Sequence, residues 1–207
     1  MRGQFITIEG IEGVGKSTNV AFVADYCRAR GNEVVVTREP GGTPMAERIR
    51  DLILNTPQAG LSDLGELLLM FAARAEHLQG LIEPALNRGA TVVCDRFTDA
   101  TFAYQGGGRG LDTRYVSALQ ELVQGELTPD LTLLLDGSPE LSARRIAGRD
   151  WRDRFETERQ EFFARVRQAY LDIAAREPAR VYVVDASQPL AEVQSALEQL
   201  LEKLFET

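Results

Sequence analysis

The chain predicts an α/β doubly wound fold: five parallel strands, helices on both faces, and a small lid. Three observations carry this. Five apolar runs of strand length, at 4–9, 33–37, 91–95, 131–136 and 181–185, alternate with helical stretches. The runs are almost continuously apolar, as in strands buried on both faces of a parallel sheet. The 207 residues show no internal repeat and no low-complexity linker, which suits one domain over 1–207.

The elements follow in order. The run 4–9 ends at Gly10, and a helix over 15–30 is stopped by Gly31. The second strand, 33–37, leads to a helix over 44–55. A long helix covers 63–87, with Pro84 as a kink site. The third strand, 91–95, follows Gly89. A helix over 113–124 precedes the fourth strand, 131–136, which follows Pro129. Helices over 139–147 and 156–175 flank the lid segment, about 144–156. The last strand, 181–185, and a helix over 190–205 close the chain. Crossovers are right-handed by chirality. Ligands in such sheets bind at the carboxyl ends of the strands, which singles out Gly10, Arg38, Asp95 and Asp136.

Composition excludes several classes. Hydrophobic residues make up 44% and charged residues 26% of the chain, as in ordinary globular domains. No apolar run approaches the ~20 residues that cross a bilayer, and residues 1–10 lack the pattern of a signal peptide. Cys27, Cys94 and the single histidine, His77, offer no metal-ligand spacing. A reduced, soluble, intracellular protein without a membrane partner is expected. The net charge of -8 argues against a nucleic-acid partner, which would need clustered positive charge. A small anionic ligand remains compatible, because arginines concentrate in a few places.

Gly10, Ile11, Glu12, Gly13, Val14, Gly15, Lys16 and Ser17 match G-x-x-x-x-G-K-[ST], between a strand and a helix where that motif acts. Glycines let backbone N–H groups wrap a phosphate, and the helix N-terminus adds partial positive charge. Lys16 would reach the outer phosphates and the Ser17 hydroxyl would ligate Mg²⁺. The loop alone does not choose among kinase, motor, switch GTPase and transport ATPase.

The other strand ends carry the acceptor side. Asp95 and Arg96 close the third strand. The carboxylate can hold the Mg²⁺ shell or accept from Lys16, and the guanidinium can grip an anion bidentately. Arg38 ends the second strand at the same rim, before the loop Glu39, Pro40, Gly41, Gly42 and Thr43. Arg50 reaches the same anion or lies on a solvated helix face. Phe71 and Arg74 are helical i,i+3 neighbours, able to sandwich a flat base and bond its edge; taken alone, a core Phe with a surface Arg is the alternative. His77 on the same side reads as structural. Tyr104 and Gln105 could wall a nucleoside pocket. The glycines at 106–108 and 110 look like a second phosphate cradle, which the lack of a preceding strand discounts; a flexible loop is the alternative. Residues 144–159 hold six arginines against four acids, the one clearly basic stretch. Arginines delivered by a lid can neutralise charge on a transferred phosphoryl group; a salt-bridged helical hairpin is the alternative.

Taken together, Glu9 to Thr18, Thr37 to Thr43, Phe71 to Arg74, Asp95 to Phe97 and Tyr104 to Gly110 resemble the thymidylate kinases of bacteria, within the nucleoside monophosphate kinase group. The resemblance covers nearly the whole chain. It implies transfer of the ATP γ-phosphoryl group to dTMP, Mg²⁺ as cofactor, a cytoplasmic setting and a homodimer. It also implies roles. Residues Gly10 to Thr18 bind ATP, and Ser17 and Asp95 serve the metal. Phe71 stacks on thymine, Arg74 bonds its edge, and Thr101 and Gln105 contact the base. Tyr104 crowds the sugar 2′ position and Glu12 bonds the 3′-hydroxyl. Arg38, Arg50 and Arg96 hold the acceptor phosphate. Lys16, Arg96 and Asp95 act in catalysis, with a cation from the lid: Arg149 first, then Arg145, Arg152 and Arg154. Asp153 and Glu156 add polar contacts.

Two rivals stand beside this. One is a kinase for another nucleotide or a nucleoside. The other is a nucleotide-dependent switch, for which the Asn-Lys-x-Asp base-reading motif would be expected; Leu134, Leu135, Asp136 and Gly137 do not supply it.

Overall fold

The computed structural model describes residues 2–56, 60–146 and 160–206. Five strands form one all-parallel sheet: β1 (Phe5–Glu9), β2 (Val34–Arg38), β3 (Thr91–Asp95), β4 (Leu131–Asp136) and β5 (Val181–Asp185), in the order β2-β3-β1-β4-β5. Nine α-helices accompany them among the described residues: α1 (Lys16–Ala29), α2 (Pro44–Asn55), α3 (Asp63–His77), α4 (Glu83–Asn87), α5 (Thr98–Thr101), α6 (Thr113–Gln124), α7 (Pro139–Ile146), α8 (Gln160–Arg176) and α9 (Leu190–Phe205).

Pairing register explains where the site falls. Ile8 sits opposite Asp95 on β3 and opposite Leu133 on β4, and Arg38 sits opposite Asp95. The residues following all these strands therefore share one sheet edge. The central strands match the expectation of burial on both faces: every residue of β1 is buried. The outer strands depart from it. Val36 of β2 is 44% exposed and Val183 of β5 is 48% exposed, because each is an edge with a neighbour on one side only. Apolar residues of β1, β4, α1, α8 and α9 build the main core, and a second cluster joins Phe5, Val92 and Phe97 to Leu78, Ile82 and Leu86.

Two helical stretches differ from the sequence reading. The helix over 63–87 is not uniform: a π-helical turn, Leu78–Ile82, separates α3 from α4. Pro84 falls in the first turn of α4, where its missing N–H costs little. The glycine segment is no flexible loop. After α5 the chain continues as a π-helical stretch, Phe102–Gly108, packed against α8. A Cβ on Gly107 would stand 2.5 Å from Ala169 Cβ, and one on Gly108 would stand 2.6 Å from the Phe162 ring. These glycines permit close helix packing. No helix among the described residues is long and apolar enough to cross a membrane.

Candidate active site

The loop between β1 and α1 has the form its sequence requires. Gly10, Gly13 and Gly15 have φ of 135°, 77° and 98°, a region that side chains disfavour. A Cβ on Gly10 would lie 2.4 Å from the Leu135 carbonyl oxygen, so only glycine fits there. Lys16 is buried and its Nζ donates to the carbonyls of Ile11 at 2.8 Å and Gly10 at 3.2 Å. Burial, and next the Arg96 charge, bring its pKa down to about 8, against the pull of Asp95, Glu12 and Glu9. Glu12, Gly13, Gly15, Lys16, Ser17 and Thr18 line a cavity of about 230 Å³, together with Arg38, Glu39, Arg50, Asp95 and Arg96. Gly10, Ile11 and Val14 support the loop from below, and the latter two join the main core.

Arg96 is the non-glycine residue with positive φ, 73°, among the described residues. Such a conformation costs about 1–3 kcal/mol and persists only where its surroundings enforce it. Here they do. The Arg96 N–H donates to Ile8 O at 3.1 Å, Cys94 Sγ donates to Arg96 O at 2.9 Å, and the Phe97 N–H donates to Glu9 Oε1 at 2.6 Å. The guanidinium is thereby turned back over the loop. It donates to Gly10 O at 2.9 Å, to the Tyr170 hydroxyl at 3.3 Å and to Glu12 Oε2 at 3.2 Å, and lies 4.8 Å from the Tyr104 ring centroid.

Glu9 is a part of the site that the sequence reading did not assign. It ends a fully buried strand, and Tyr170 donates to its Oε2 at 2.7 Å. Burial first, and Asp99 second, raise its pKa to about 8, although Arg96, Tyr170 and the Phe97 N–H favour the anion. A lone acid closing an apolar run was the available signal.

A second, smaller cavity of about 70 Å³ adjoins the first, lined by Glu12, Glu39, Pro40, Arg50, Met70, Arg96, Tyr104 and Gln105, among others. Arg50 faces it and donates to Pro40 O at 2.8 Å, so it belongs to the site and not to a solvated helix face. Arg38 stays half-exposed at the rim, paired with Glu47 at 2.8 Å. Arg74 is fully buried. Its Nε donates to Glu39 Oε2 at 2.8 Å and its Nη2 to Thr101 Oγ1 at 2.9 Å. His77 is structural, as its position suggested: it bridges Glu39 at 3.1 Å and Thr37 at 2.6 Å. Burial tends to raise the Glu39 pKa, but Arg74 and His77 outweigh it and hold the carboxyl below its usual value. The Glu39–Pro40 peptide is cis. Phe71 lies buried with Leu67 and Val116, its ring 4.6 Å from the Arg74 guanidinium, outside the cavity lining.

Asp136 and Arg145 have partners of their own. Asp136, at the expected strand edge, is taken by a bidentate pair with Arg167 at 2.6 and 2.7 Å. Arg145 donates to Val14 O and Ala186 O, bracing the phosphate loop. Arg149, Arg152, Asp153, Arg154 and Glu156 lie outside the described residues.

The donor set suits Mg²⁺. Asp95 Oδ1 is buried without a hydrogen-bond partner, and the Ser17 hydroxyl lines the same cavity. Among the described residues no group of three or more His, Cys, Asp or Glu could hold a metal by itself. Mg²⁺ needs only one or two protein oxygens when phosphates and water complete its shell.

A phosphate loop facing an arginine-rich acceptor cleft, on a five-stranded parallel sheet, defines the class: a P-loop kinase of the nucleoside monophosphate type. The comparisons narrow it. Residues 8–197 match the family described as thymidylate kinase. The thymidylate kinase of Chromohalobacter salexigens is 62% identical over 197 residues, 94% of this chain and 93% of that protein. That of Pseudomonas syringae pv. tomato is 56% identical over 206 residues, 100% of this chain and 98% of that protein. The crystal structure of thymidylate kinase from Ehrlichia chaffeensis superposes with a TM-score of 0.80 at 35% identity, covering 97% of this chain and all of that one. The chain belongs to the thymidylate kinase family.

Proposed function

We infer that the chain transfers the γ-phosphoryl group of ATP to dTMP, giving dTDP and ADP. The observation that carries this is the shared wall of the two cavities: Glu12, Glu39, Arg50 and Arg96 line both. An acceptor phosphate held by Arg96 and Arg50 therefore faces phosphates held by the loop. ADP release that depends on dTMP tests the reading.

The chemistry is mostly positioning and charge compensation. Backbone N–H groups of residues 10–18 cradle the donor phosphates, and Lys16 and Arg96 cancel repulsion between the two anions. Mg²⁺, carried by Ser17 and Asp95, supplies further compensation when bound. Glu12, which lines both cavities, would bond the 3′-hydroxyl of the acceptor sugar. Tyr104, 4.8 Å from Arg96, narrows the cavity there and favours deoxyribose. Arg74, Thr101 and Gln105, with Phe71 behind Arg74, form the base pocket. The lid, about 144–156, delivers the remaining cation, with Arg149 as the first choice. Closure over the site would exclude water and limit idle hydrolysis.

The protein works in the cytoplasm as a homodimer. Support for the dimer comes from α3 and α6, which pack together through Leu67, Phe71 and Val116 and still present exposed Leu64, Leu68, Tyr115 and Leu122. Grouped exposed apolar side chains mark association surfaces.

A further inference from the structure

The Gln105 side chain has one orientation. Its Nε2 donates to Glu66 Oε1 at 2.9 Å. A carboxylate offers only acceptors, so the NH₂ end of the amide faces Glu66. Gln105 Oε1 is left buried with no hydrogen-bond partner, on a residue that lines the acceptor cavity. Glu66 is fully buried in the first turn of α3, and Arg109 Nε lies 3.7 Å from the same carboxylate oxygen. Glu66, Met70 and Arg74 succeed one another at i,i+4 spacing along α3. Met70 lines the cavity, and Arg74 Nη1 is a second buried polar atom without a partner. Buried polar groups left unpaired are rare and point to a ligand that pairs them.

We propose that Glu66 is a specificity-determining positioning residue: by fixing the Gln105 amide it makes this wall accept from a ring N–H and reject a lone pair. The proposal rests on the dTMP reading and deepens it. Thymine presents a ring N–H beside a carbonyl, which suits the Gln105 acceptor and the Arg74 donor. 5-Methylcytosine has the same methyl group and size but reverses that edge: a ring lone pair beside an NH₂ group. Its lone pair meets Gln105 Oε1 and its NH₂ group meets the Arg74 guanidinium. A free amide would rotate and relieve the first clash. An amide pinned by Glu66 does not.

The test compares dTMP with 5-methyl-dCMP as acceptors for the native enzyme and for Glu66→Gln, which keeps size and burial but can donate as well as accept. The native enzyme should prefer dTMP by at least about a hundredfold in kcat/KM, as sites built to bond a polar edge do. Glu66→Gln should compress that ratio by about tenfold or more, with KM for ATP unchanged. A merely structural role would lower both acceptors alike; an unchanged ratio therefore overturns the proposal while leaving the dTMP reading intact. A native enzyme inert toward both acceptors sinks the dTMP reading and this inference with it. Should Glu66→Gln fail to fold, the side-chain NH₂ resonances of Gln105 in the native protein decide. One shifted proton protected from exchange supports the Glu66 bond, and rapid exchange of both protons overturns it.

Discussion

The Tyr170 hydroxyl, on α8, donates to Glu9 Oε2 at 2.7 Å while accepting from Arg96 Nη1 at 3.3 Å. One phenol thus ties the helix that follows residues 147–159 to the strained Arg96 and to the base of the phosphate loop. Tyr170→Phe leaves Glu9 Oε2 short of a buried donor, worth about 1–3 kcal/mol of stability. It also frees the Arg96 guanidinium to wander. We expect kcat to fall about tenfold, equivalent to roughly 1.4 kcal/mol of barrier, with a lowered Tm. Steady-state assay and thermal melts check this; a variant as active as the native enzyme contradicts it.

Glu9 also sets a pH dependence of stability. Its folded pKa, about 8, stands above the ordinary 4.5. Between these values the folded chain keeps a proton that the unfolded chain releases, so stability falls as pH rises through that window. Lys16 acts in the opposite sense and later: its pKa drops from 10.5 to about 8 on folding, so it adds stability only as pH rises above that. The Tm of the native protein should therefore decline from pH 5 to pH 8 by several degrees, and Glu9→Gln should flatten the decline. Melts of both proteins across that range test the assignment. An equal decline in Glu9→Gln would remove Glu9 as its source.

Arg74→Met separates base reading from ATP binding. The substitution strips Glu39 of its main cation in a buried setting, a loss of about 3–5 kcal/mol for broken buried pairs. At a temperature where the variant stays folded, dTMP affinity should drop more than tenfold, about 1.4 kcal/mol or more, and ATP affinity should hold. Calorimetric titration of each nucleotide distinguishes the two; parallel losses would deny Arg74 its role.

The association surface is tested at Leu122, 79% exposed on α6, and Leu68 on α3. Leu68→Glu with Leu122→Glu places charge on the apolar face without touching the core. Sedimentation should show a dimer for the native chain and a monomer for the double variant. A native monomer, or a variant that still dimerises, would move the interface elsewhere or abolish it.

Much of this was legible in the sequence because the signals were local. Strand ends came within a residue or so, since glycine or proline stands beside most of the apolar runs. The Gly10 to Ser17 loop, and the place of Asp95 and Arg96 at a strand end, could be read because each is a local pattern. What escaped was non-local. Glu9 meets Tyr170 across 161 positions, and Gln105 meets Glu66 across 39. No periodicity encodes such pairs. The helical path of Phe102–Gly108 was hidden for a related reason: three glycines have poor intrinsic helix propensity, and only the close approach of α8 explains them.

The most direct test is ADP formation with ATP and Mg²⁺, run with dTMP, dUMP, dCMP, dGMP, dAMP and no acceptor. The account predicts turnover that requires an acceptor and strongly prefers dTMP. Turnover with another acceptor would keep the phosphoryl-transfer site and discard the thymine pocket. Nucleotide hydrolysis indifferent to any acceptor would contradict the account outright.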